Sequence, residues 1–359
     1  MDTLSEKQHF AELGDSLHDA SNNLPSPRTP GNDAKTSSSS SFYHHLYTLY
    51  LFTRSDFKTV IVPQSIFALA AASRYISTIQ QQQQQQQQIP PSSPFSTSEY
   101  LIRIPYMLTW LWLHLVVENV ANQRLESSVL EDAVNKPWRP IPAGLITPRQ
   151  SQAVLRWAVP LCLALSSLAG SSLLLPSTAL MCFVWLYNDL DGSGAGPIQR
   201  SAINAAGLAC FGWGALVALV SGPATVVDHG GAAAAALVLP RMVQIWIGMI
   251  AAIVFSTVHA ADFPDVEGDR ERGRQTMPLV YGEDVSRWVL AVAVLAWSVA
   301  SLAFWHVEVG VVWVAPLLVG SFLAGLTVLR RDHGSDELAW KLWCLWIVVL
   351  FLLPLAGSV

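Results

Sequence analysis

Residues 259–274 read HAADFPDVEGDRERGR, and this segment, the aspartate stretch, directly follows an apolar one. Its aspartates, Asp262, Asp265 and Asp269, are spaced i, i+3 and i+7, which places all three on one face of a helix. Like charges on one face repel each other unless cations neutralise them. Mg²⁺ prefers carboxylate oxygens, waters and substrate phosphates as ligands. The aspartate stretch therefore predicts a helix that carries a magnesium site.

Three arginines, Arg270, Arg272 and Arg274, complete the aspartate stretch. A guanidinium group binds phosphate oxygens through two parallel hydrogen bonds, so these side chains are candidates to hold the outer oxygens of a metal-bound phosphate. The residues from Gln244 to Ala261 are almost wholly apolar, which places the charges at the end of a membrane-spanning segment. The alternative interpretation is a solvated helix end on which acidic and basic residues only face water.

The composition of the chain is that of a membrane protein. Of its 359 residues, 52% are hydrophobic and 13% are charged, and the formal net charge of -5 argues against nucleic acid as a partner. About 20 apolar residues span the hydrocarbon core of a bilayer. The pattern predicts an all-α, polytopic membrane protein with about nine transmembrane helices, near residues 58–75, 100–119, 151–168, 172–187, 203–219, 233–261, 285–303, 307–329 and 338–355.

Two segments are polar and lack apolar periodicity. Residues 1–42 are rich in Ser, Asn, Pro and Asp, a composition that buries too little apolar surface to fold, so a disordered tail is predicted. Residues 76–99 contain an unbroken glutamine run, Gln80–Gln88, and are predicted to form a low-complexity loop. One transmembrane domain, residues 43–359, is expected to contain the rest of the chain.

Basic residues are concentrated on the loops that nine spans place on one side of the membrane. These residues are Arg54, Lys58, Arg124, Lys136, Arg139, Arg149, Arg200, Arg270, Arg272, Arg274, Arg330, Arg331 and Lys341. The opposite side receives residues 76–99, 222–231 and the turn near His306, which hold no Lys or Arg. Arg74 and Arg103 flank the first of these loops and weaken the contrast. The positive-inside rule predicts that the aspartate stretch faces the cytoplasm.

A second polar cluster follows the second predicted span. Residues 118–144, called the second stretch, read ENVANQRLESSVLEDAVNKPWRPIPAG. Asn122 and Glu126 are i, i+4 neighbours on a helix, and Ser128 and Asp132 repeat that spacing. Alone, this cluster is better explained as an exposed loop. Because this cluster lies at the same membrane face as the aspartate stretch, the two together predict a diphosphate site. Metal ions bound to both sets of oxygen ligands would hold the diphosphate there. The candidate ligands of the second stretch are Asn122, Glu126, Glu131 and Asp132.

The two stretches together resemble the motifs of the UbiA superfamily of intramembrane prenyltransferases, and the similarity extends over about residues 50–358. The resemblance implies nine helices around a central cavity, bound Mg²⁺ and an isoprenyl diphosphate substrate in contact with the lipid bilayer. By motif position it implies metal and diphosphate contacts at Asn122, Asp132, Asp262, Asp265 and Asp269. It implies phosphate contacts at Lys136, Arg139, Arg270 and Arg274, and a position at the cavity mouth for Tyr187 and Asn188.

The second stretch departs from the usual family motif, Asn-Asp-xx-Asp-xxx-Asp. Gln123 stands in place of the first aspartate, and the acidic residues that follow have an altered spacing. Which of Glu126, Glu131 and Asp132 binds metal directly therefore stays open. The basic residue that the family often has after the fourth span is not plainly present, and Arg200 is the candidate for it.

This form of the motifs resembles a fungal branch of the superfamily that includes membrane-bound sesquiterpene cyclases. The resemblance implies a Mg²⁺-dependent terpene cyclase of secondary metabolism, which ionises farnesyl diphosphate and cyclises the carbocation in the membrane of the endoplasmic reticulum. The alternative is a prenyltransferase that moves the isoprenyl group to an aromatic or other acceptor. A transporter is the rival from another class, because intramembrane charges also mark transport pathways. The position of the charged clusters at one membrane face, rather than at mid-depth, counts against it.

Aromatic and histidine side chains are candidates for the cyclisation step. Aromatic faces stabilise cations in dry sites by about 2 kcal/mol or more. The tryptophans of the central spans include Trp110, Trp112, Trp185 and Trp213. Packing, or contact with the lipid interface, is the alternative for each of them. His259, one turn before the first aspartate, is a candidate to accept the final proton, with a packed, hydrogen-bonded histidine as the alternative.

Overall fold

The computed structural model describes residues 37–85, 97–223 and 237–358, and these ranges contain helices and turns but no β-strand. The chain divides into two compact units between Leu46 and Tyr47, and the second unit contains the transmembrane helices and the candidate site. The α-helices of the described ranges are α1 (Ser37–Thr53), α2 (Val62–Gln85), α3 (Thr97–Gln123), α4 (Glu126–Asn135), α5 (Pro148–Ser167), α6 (Ser171–Asn188), α7 (Pro197–Ser221), α8 (Arg241–Thr257), α9 (Val266–Glu271), α10 (Met277–Tyr281), α11 (Glu283–Phe304), α12 (Val311–Leu329) and α13 (His333–Phe351).

Nine of these helices are long and largely apolar: α2, α3, α5, α6, α7, α8, α11, α12 and α13. The prediction of an all-α protein with about nine transmembrane helices is therefore confirmed. Eight of the nine lie in segments of the described chain that are long and apolar enough to cross a membrane. The exception is α5, because polar and charged side chains, Arg149, Gln150, Gln152 and Arg156, occupy its first half.

Helix α7 lies at the centre of the bundle. It packs against α2, α3, α6 and α8, while α13 packs against α2 and α12, and α11 packs against α8 and α12. The second half of α7 is almost wholly buried. Gly214 allows α3 to approach, because a Cβ atom at this position would lie 2.1 Å from the ring of Trp110. Small residues let helices pack closely in a bilayer, where hydrophobic burial does not drive their association.

Tryptophan N–H groups connect neighbouring helices through serine and threonine hydroxyls. Nε1 of Trp110 in α3 donates to Ser166 of α5 at 2.9 Å and to Ser177 of α6 at 3.0 Å. Three further bonds of this kind join Trp297 to Ser256, Trp343 to Thr257 and Trp346 to Ser298. Such interhelical hydrogen bonds satisfy polar groups where no water is present and hold the bundle in register.

The low-complexity loop is shorter than the sequence predicts. Residues 76–85 continue α2 to Gln85, because glutamine is a good helix former. Residues 86–96 of the predicted loop lie outside the described ranges, and α3 begins at Thr97. The predicted loop at residues 76–99 is therefore helical at both ends.

Two other predicted segments include residues that the structure does not describe. The structure describes the predicted tail, residues 1–42, only from Ser37, where α1 begins. The predicted sixth span begins at Ala233, which lies outside the described ranges. The helix of this span, α8, begins at Arg241, directly after Pro240. The residues immediately before Arg241 are not helical.

Candidate active site

One end of the bundle, called the mouth, brings the two charged stretches together. Helices α3, α6 and α8 end there, and α7 begins there. The second stretch leaves α3 and forms α4, whereas the aspartate stretch leaves α8 and forms α9. An ion pair between Glu131 and Arg272, 2.8 Å long, joins the two stretches. Residues that are about 140 positions apart in the chain therefore meet at one site.

The aspartate stretch is not one continuous helix. Residues 258–261 form a 3₁₀ turn, and α9 begins only at Val266. Pro264 explains the break, because proline donates no backbone hydrogen bond and disfavours helical geometry at the residue before it. The prediction that the three aspartates share one helical face is therefore wrong. Contacts with arginines, rather than the helical repeat, position these side chains.

Arg200, in the first turn of α7, connects three elements at the mouth. Its guanidinium donates to Oδ1 of Asp262 from Nη2 at 3.1 Å and from Nε at 3.3 Å, and to the Tyr187 hydroxyl from Nη1 at 3.0 Å. Burial raises the pKa of Asp262 above its ordinary value, and the Arg200 charge opposes that shift. Arg200 thus connects the aspartate stretch, the end of α6 and the start of α7.

Asp269 and Asp265 keep oxygen atoms without partners. Asp269 is fully buried, and its Oδ1 accepts from Nη1 of Arg274 at 3.0 Å, whereas its Oδ2 has no hydrogen-bond partner. Burial raises the pKa of Asp269, and the charges of Arg200 and Arg274 oppose the shift. Asp265 is half-buried, and in the described part of the chain its carboxylate makes no ion pair or side-chain hydrogen bond. Both carboxylates can therefore take a further ligand.

The carboxylates of α4 are paired with arginines. Asp132 accepts two hydrogen bonds from Nη1 of Arg139, at 2.7 and 2.8 Å, and burial nevertheless raises the pKa of Asp132. Glu131 accepts from Arg272 at 2.8 Å and lies 3.7 Å from Arg274. Burial favours a higher pKa for Glu131, but the charges of Arg274 and Arg272 outweigh it and hold the pKa below its ordinary value.

A polar pocket at the mouth collects most of the residues that the two stretches predict. Its lining is Asn122, Ser128, Glu131, Asp132, Lys136, Arg139, Tyr187, Asp265, Arg272 and Arg274. Glu126 and Arg270 are exposed and do not line this pocket. Ser128 and Arg272 line it instead, and neither follows from the family motif. The i, i+4 spacing of Ser128 with Asp132 is the signal that points to the serine.

A mostly apolar cavity of about 220 Å³ adjoins the polar pocket. Side chains of α3, α6, α7 and α13, of the 3₁₀ turn that follows α8 and of residues 56–60 line it, and Tyr187 lines both spaces. Asn188 and Arg200 lie at its charged end. Along α7 the lining runs from Arg200 to Phe211, about 16 Å at 1.5 Å per residue. The cavity also contains two acidic residues that the sequence did not single out, Asp56 and Glu118.

The tryptophans that the sequence singled out do not line this cavity. Trp110 is fully buried and stacks on His114, with ring centroids 4.0 Å apart, and Trp185 is 55% exposed on the bundle surface. The aromatic residues of the cavity are Phe183, Tyr187, Phe211 and Trp340. His259 is packed as well, with Nε2 3.1 Å from the carbonyl oxygen of Ser286. For this histidine, the packed alternative is the one that the structure supports.

The donor set at the mouth fits a divalent cation in its chemistry. Within the described ranges, no group of three or more His, Cys, Asp or Glu side chains is arranged to hold a metal ion. The unpartnered Oδ2 of Asp269 and the unpaired carboxylate of Asp265 are nevertheless hard oxygen donors of the kind that Mg²⁺ prefers. Asn122 and Asp132 supply further oxygen atoms from the second stretch. These four residues are the ones that would hold an ion.

Comparison with known proteins identifies the family of this chain. The family model described as the UbiA prenyltransferase family matches residues 97–352, which include both charged stretches. This chain belongs to the UbiA prenyltransferase family. As a UbiA protein with several helices long and apolar enough to cross a membrane, it is an integral membrane enzyme. The family predicted from the two motifs is therefore confirmed.

Two relatives of this UbiA protein have names that state different reactions. The chain is 29% identical over 314 residues to fumagillin beta-trans-bergamotene synthase of Aspergillus fumigatus, a match that covers 86% of this chain and 92% of the relative. It is 27% identical over 313 residues to a polyprenyl transferase of Hericium erinaceus, covering 84% of this chain and 92% of the relative. UbiA relatives therefore include both a terpene synthase and a transferase.

A solved structure shows the same fold. The UbiA homologue from Archaeoglobus fulgidus bound to GPP and Mg²⁺ has a TM-score of 0.53 and 11% sequence identity, and the match covers 85% of this chain and 99% of that protein. At this identity the likeness concerns the fold. It agrees with the prediction of a UbiA-like helical bundle.

Proposed function

We propose that this protein is a Mg²⁺-dependent intramembrane terpene cyclase that ionises an isoprenyl diphosphate, with farnesyl diphosphate as the expected substrate. The observation that carries the proposal is the direct connection between the charged mouth and the apolar cavity, which share Tyr187. A diphosphate suits the first space and a hydrocarbon chain suits the second. The similarity to fumagillin beta-trans-bergamotene synthase supports cyclisation as the reaction. A prenyltransferase is the second candidate, supported by the polyprenyl transferase relative.

The diphosphate binds among the basic side chains of the mouth. Arg139, Arg272 and Arg274 present guanidinium groups that suit bidentate contacts with phosphate oxygens. In the structure these groups pair with carboxylates of both stretches. A bound diphosphate competes for the same N–H groups and thereby frees the carboxylates for metal ions. When bound, Mg²⁺ neutralises negative charge on the diphosphate and makes it a better leaving group.

The hydrocarbon chain occupies the apolar cavity. Tyr187, held by Arg200 at 3.0 Å, stands where the two spaces meet, so the breaking C–O bond lies near this pair. Phe183, Phe211 and Trp340 line the cavity beyond it. Aromatic faces stabilise positive charge most strongly where water is excluded. An allylic cation formed here is protected from water until its own distal double bond attacks it and closes a ring.

Incubation of membranes that contain the protein with farnesyl diphosphate and Mg²⁺, without any acceptor, tests the proposed function. The expected result is release of diphosphate together with a cyclic hydrocarbon identified by gas chromatography and mass spectrometry. Membranes of the same host without the protein serve as the control. Turnover that starts only when an aromatic or other acceptor is added would show a prenyltransferase and overturn the cyclase proposal.

Removal of divalent cations is expected to abolish turnover. The mouth holds carboxylates beside the place of an anionic diphosphate, and like charges of this kind need cations between them. The measurement is hydrocarbon formation in membranes treated with EDTA, with recovery after Mg²⁺ is added back. Full activity after exhaustive chelation would contradict the metal requirement.

Gly207 is expected to set the length of hydrocarbon chain that the cavity accepts. It lies in the cavity wall in α7, and a Cβ atom built on it would have nothing within 4 Å. Gly207→Phe fills that space and should lower turnover of farnesyl diphosphate about tenfold or more relative to the shorter geranyl diphosphate. Gly207→Ala adds one methyl group in open space and is the matched control. Equal use of both substrates by Gly207→Phe would show that the chain does not follow this wall.

We also propose that the mouth faces the cytoplasm from the membrane of the endoplasmic reticulum. Basic residues at the mouth end of the described chain, among them Lys136, Arg272 and Arg331, outnumber those near the opposite ends of the helices, such as Arg103 and Arg241. The positive-inside rule favours the cytoplasmic side for the richer end. Labelling of an Arg331→Cys variant by a membrane-impermeant maleimide in sealed microsomes measures this orientation. Protection of that cysteine until the microsomes are opened would contradict it.

A further inference from the structure

Glu118 is an acidic residue in the wall of the apolar cavity. It lies in α3, four residues before Asn122 of the polar pocket, which places it about 6 Å deeper in the bundle at 1.5 Å per residue. In the described part of the chain its carboxylate makes no hydrogen bond or ion pair. A carboxylate that faces a hydrocarbon cavity without a partner is costly, so its presence calls for a functional explanation.

The other polar groups of the cavity are already engaged or cannot take up a proton. Asp56 accepts hydrogen bonds from the hydroxyls of Ser55 at 3.1 Å and of Thr59 at 3.2 Å. The Tyr187 hydroxyl accepts from Arg200. Asn204 presents a neutral amide. Among the described carboxylates that line the cavity, Glu118 is therefore the one without a hydrogen-bond or ion-pair partner.

His259, the candidate proton acceptor from the sequence, does not have this access. Its ring does not line the cavity, and its Nε2 faces the Ser286 carbonyl oxygen. The Glu118 side chain, by contrast, lines the cavity directly.

We propose that Glu118 is the general base that ends the cyclisation, an inference that rests on the proposed cyclase function. A C–H bond next to the cationic carbon breaks, and its electron pair becomes the π bond of the product alkene. The proton forms an O–H bond with the Glu118 carboxylate, and the neutral acid returns it to water after the product leaves. Positive charge on the hydrocarbon and negative charge on the carboxylate disappear together, so no other reactant is needed.

Glu118→Gln tests this role, because the amide keeps the size of the side chain and removes its basicity. Diphosphate release should stay at the wild-type level, since ionisation takes place at the mouth. Formation of the wild-type hydrocarbon should fall about 100-fold, the scale of a lost general base, and alcohols or other alkenes should replace it. Both quantities are measured in the same incubation of membranes with farnesyl diphosphate and Mg²⁺.

Two further variants keep the test falsifiable. Glu118→Asp retains a carboxylate and should restore the wild-type hydrocarbon, which a merely structural role would not explain. Glu308→Gln makes the same chemical change at an exposed position outside both pockets and serves as the matched control. Thermal unfolding of each variant in detergent checks that the fold is intact.

The outcomes separate this inference from the function on which it rests. An unchanged hydrocarbon profile in Glu118→Gln would show that the released diphosphate or another group removes the proton. Loss of diphosphate release in that variant would place Glu118 in ionisation instead. Either result overturns the assignment. If the wild-type protein forms no hydrocarbon without an acceptor, the cyclase proposal itself fails.

Discussion

Replacing Asp265 by alanine is expected to lower turnover of farnesyl diphosphate by about 100-fold or more. Asp265 lines the polar pocket and has no side-chain partner among the described residues, so its carboxylate is free to bind a cation beside the diphosphate. A cation held by this carboxylate would matter most as negative charge develops on the leaving diphosphate. Turnover should therefore fall more than substrate affinity. The measurement is a kinetic comparison in membranes at matched protein levels.

Glu267→Ala is the matched control for this substitution. Glu267 lies two residues further along the same stretch, but it is exposed and does not line the polar pocket. Its removal changes the net charge of the stretch by the same amount and should leave turnover close to the wild-type value. Equal losses in the two variants, or a nearly silent Asp265→Ala, would show that the assignment of the pocket-facing carboxylate is wrong.

Asp336→Ala is expected to destabilise the protein by about 3–5 kcal/mol, the scale for breaking a buried ion pair. Arg287 is 2% exposed and donates to both carboxylate oxygens of Asp336, at 2.7 and 2.9 Å. Without Asp336 the buried guanidinium keeps only a partly exposed glutamate, Glu283 at 3.3 Å, and two backbone carbonyls. Thermal unfolding in detergent should show a much lower Tm.

A second Asp–Arg pair provides the control. Asp284 pairs with Arg331, and both side chains are more than half exposed. Surface ion pairs of this kind contribute little to stability, so Asp284→Ala should leave Tm almost unchanged. The Arg287 guanidinium also lies 4.5 Å from the ring centre of Phe263, within the aspartate stretch. If Asp336→Ala unfolds at the wild-type temperature, as Asp284→Ala should, then the buried pair of Arg287 and Asp336 does not stabilise the fold.

The fold and the general position of the site could be predicted because they depend on long sequence patterns. Apolar segments of about 20 residues are predicted to be spanning helices without any knowledge of their neighbours. Charges at the ends of those segments must lie at a membrane surface. That logic placed Asp132 of the second stretch and Asp265 of the aspartate stretch at one end of the bundle, as the structure does.

The details of the site depend on local geometry that spacing alone does not give. Pro264 interrupts the helix, so the i, i+3, i+7 spacing does not place the three aspartates on one helical face. Arg270 and Arg272 are two residues apart, and which of them faces the pocket depends on where α9 ends. The sequence does not single out Glu118, because the surroundings of one acidic residue in an apolar helix depend on which helices pack against it.

The pairing of arginines with carboxylates at the mouth makes the site electrically balanced before any ligand arrives. In the polar pocket and the ion pairs beside it, the acidic side chains are Glu131, Asp132, Asp262, Asp265 and Asp269, and the basic ones are Lys136, Arg139, Arg200, Arg272 and Arg274. A site with equal numbers of each attracts neither a lone anion nor a lone cation strongly. On the proposed function, an anionic diphosphate and divalent cations would bind well only together, because each would remove the partner that competes with the other. By thermodynamic linkage the coupling is reciprocal, so the cell's magnesium level would set the apparent affinity for the lipid substrate.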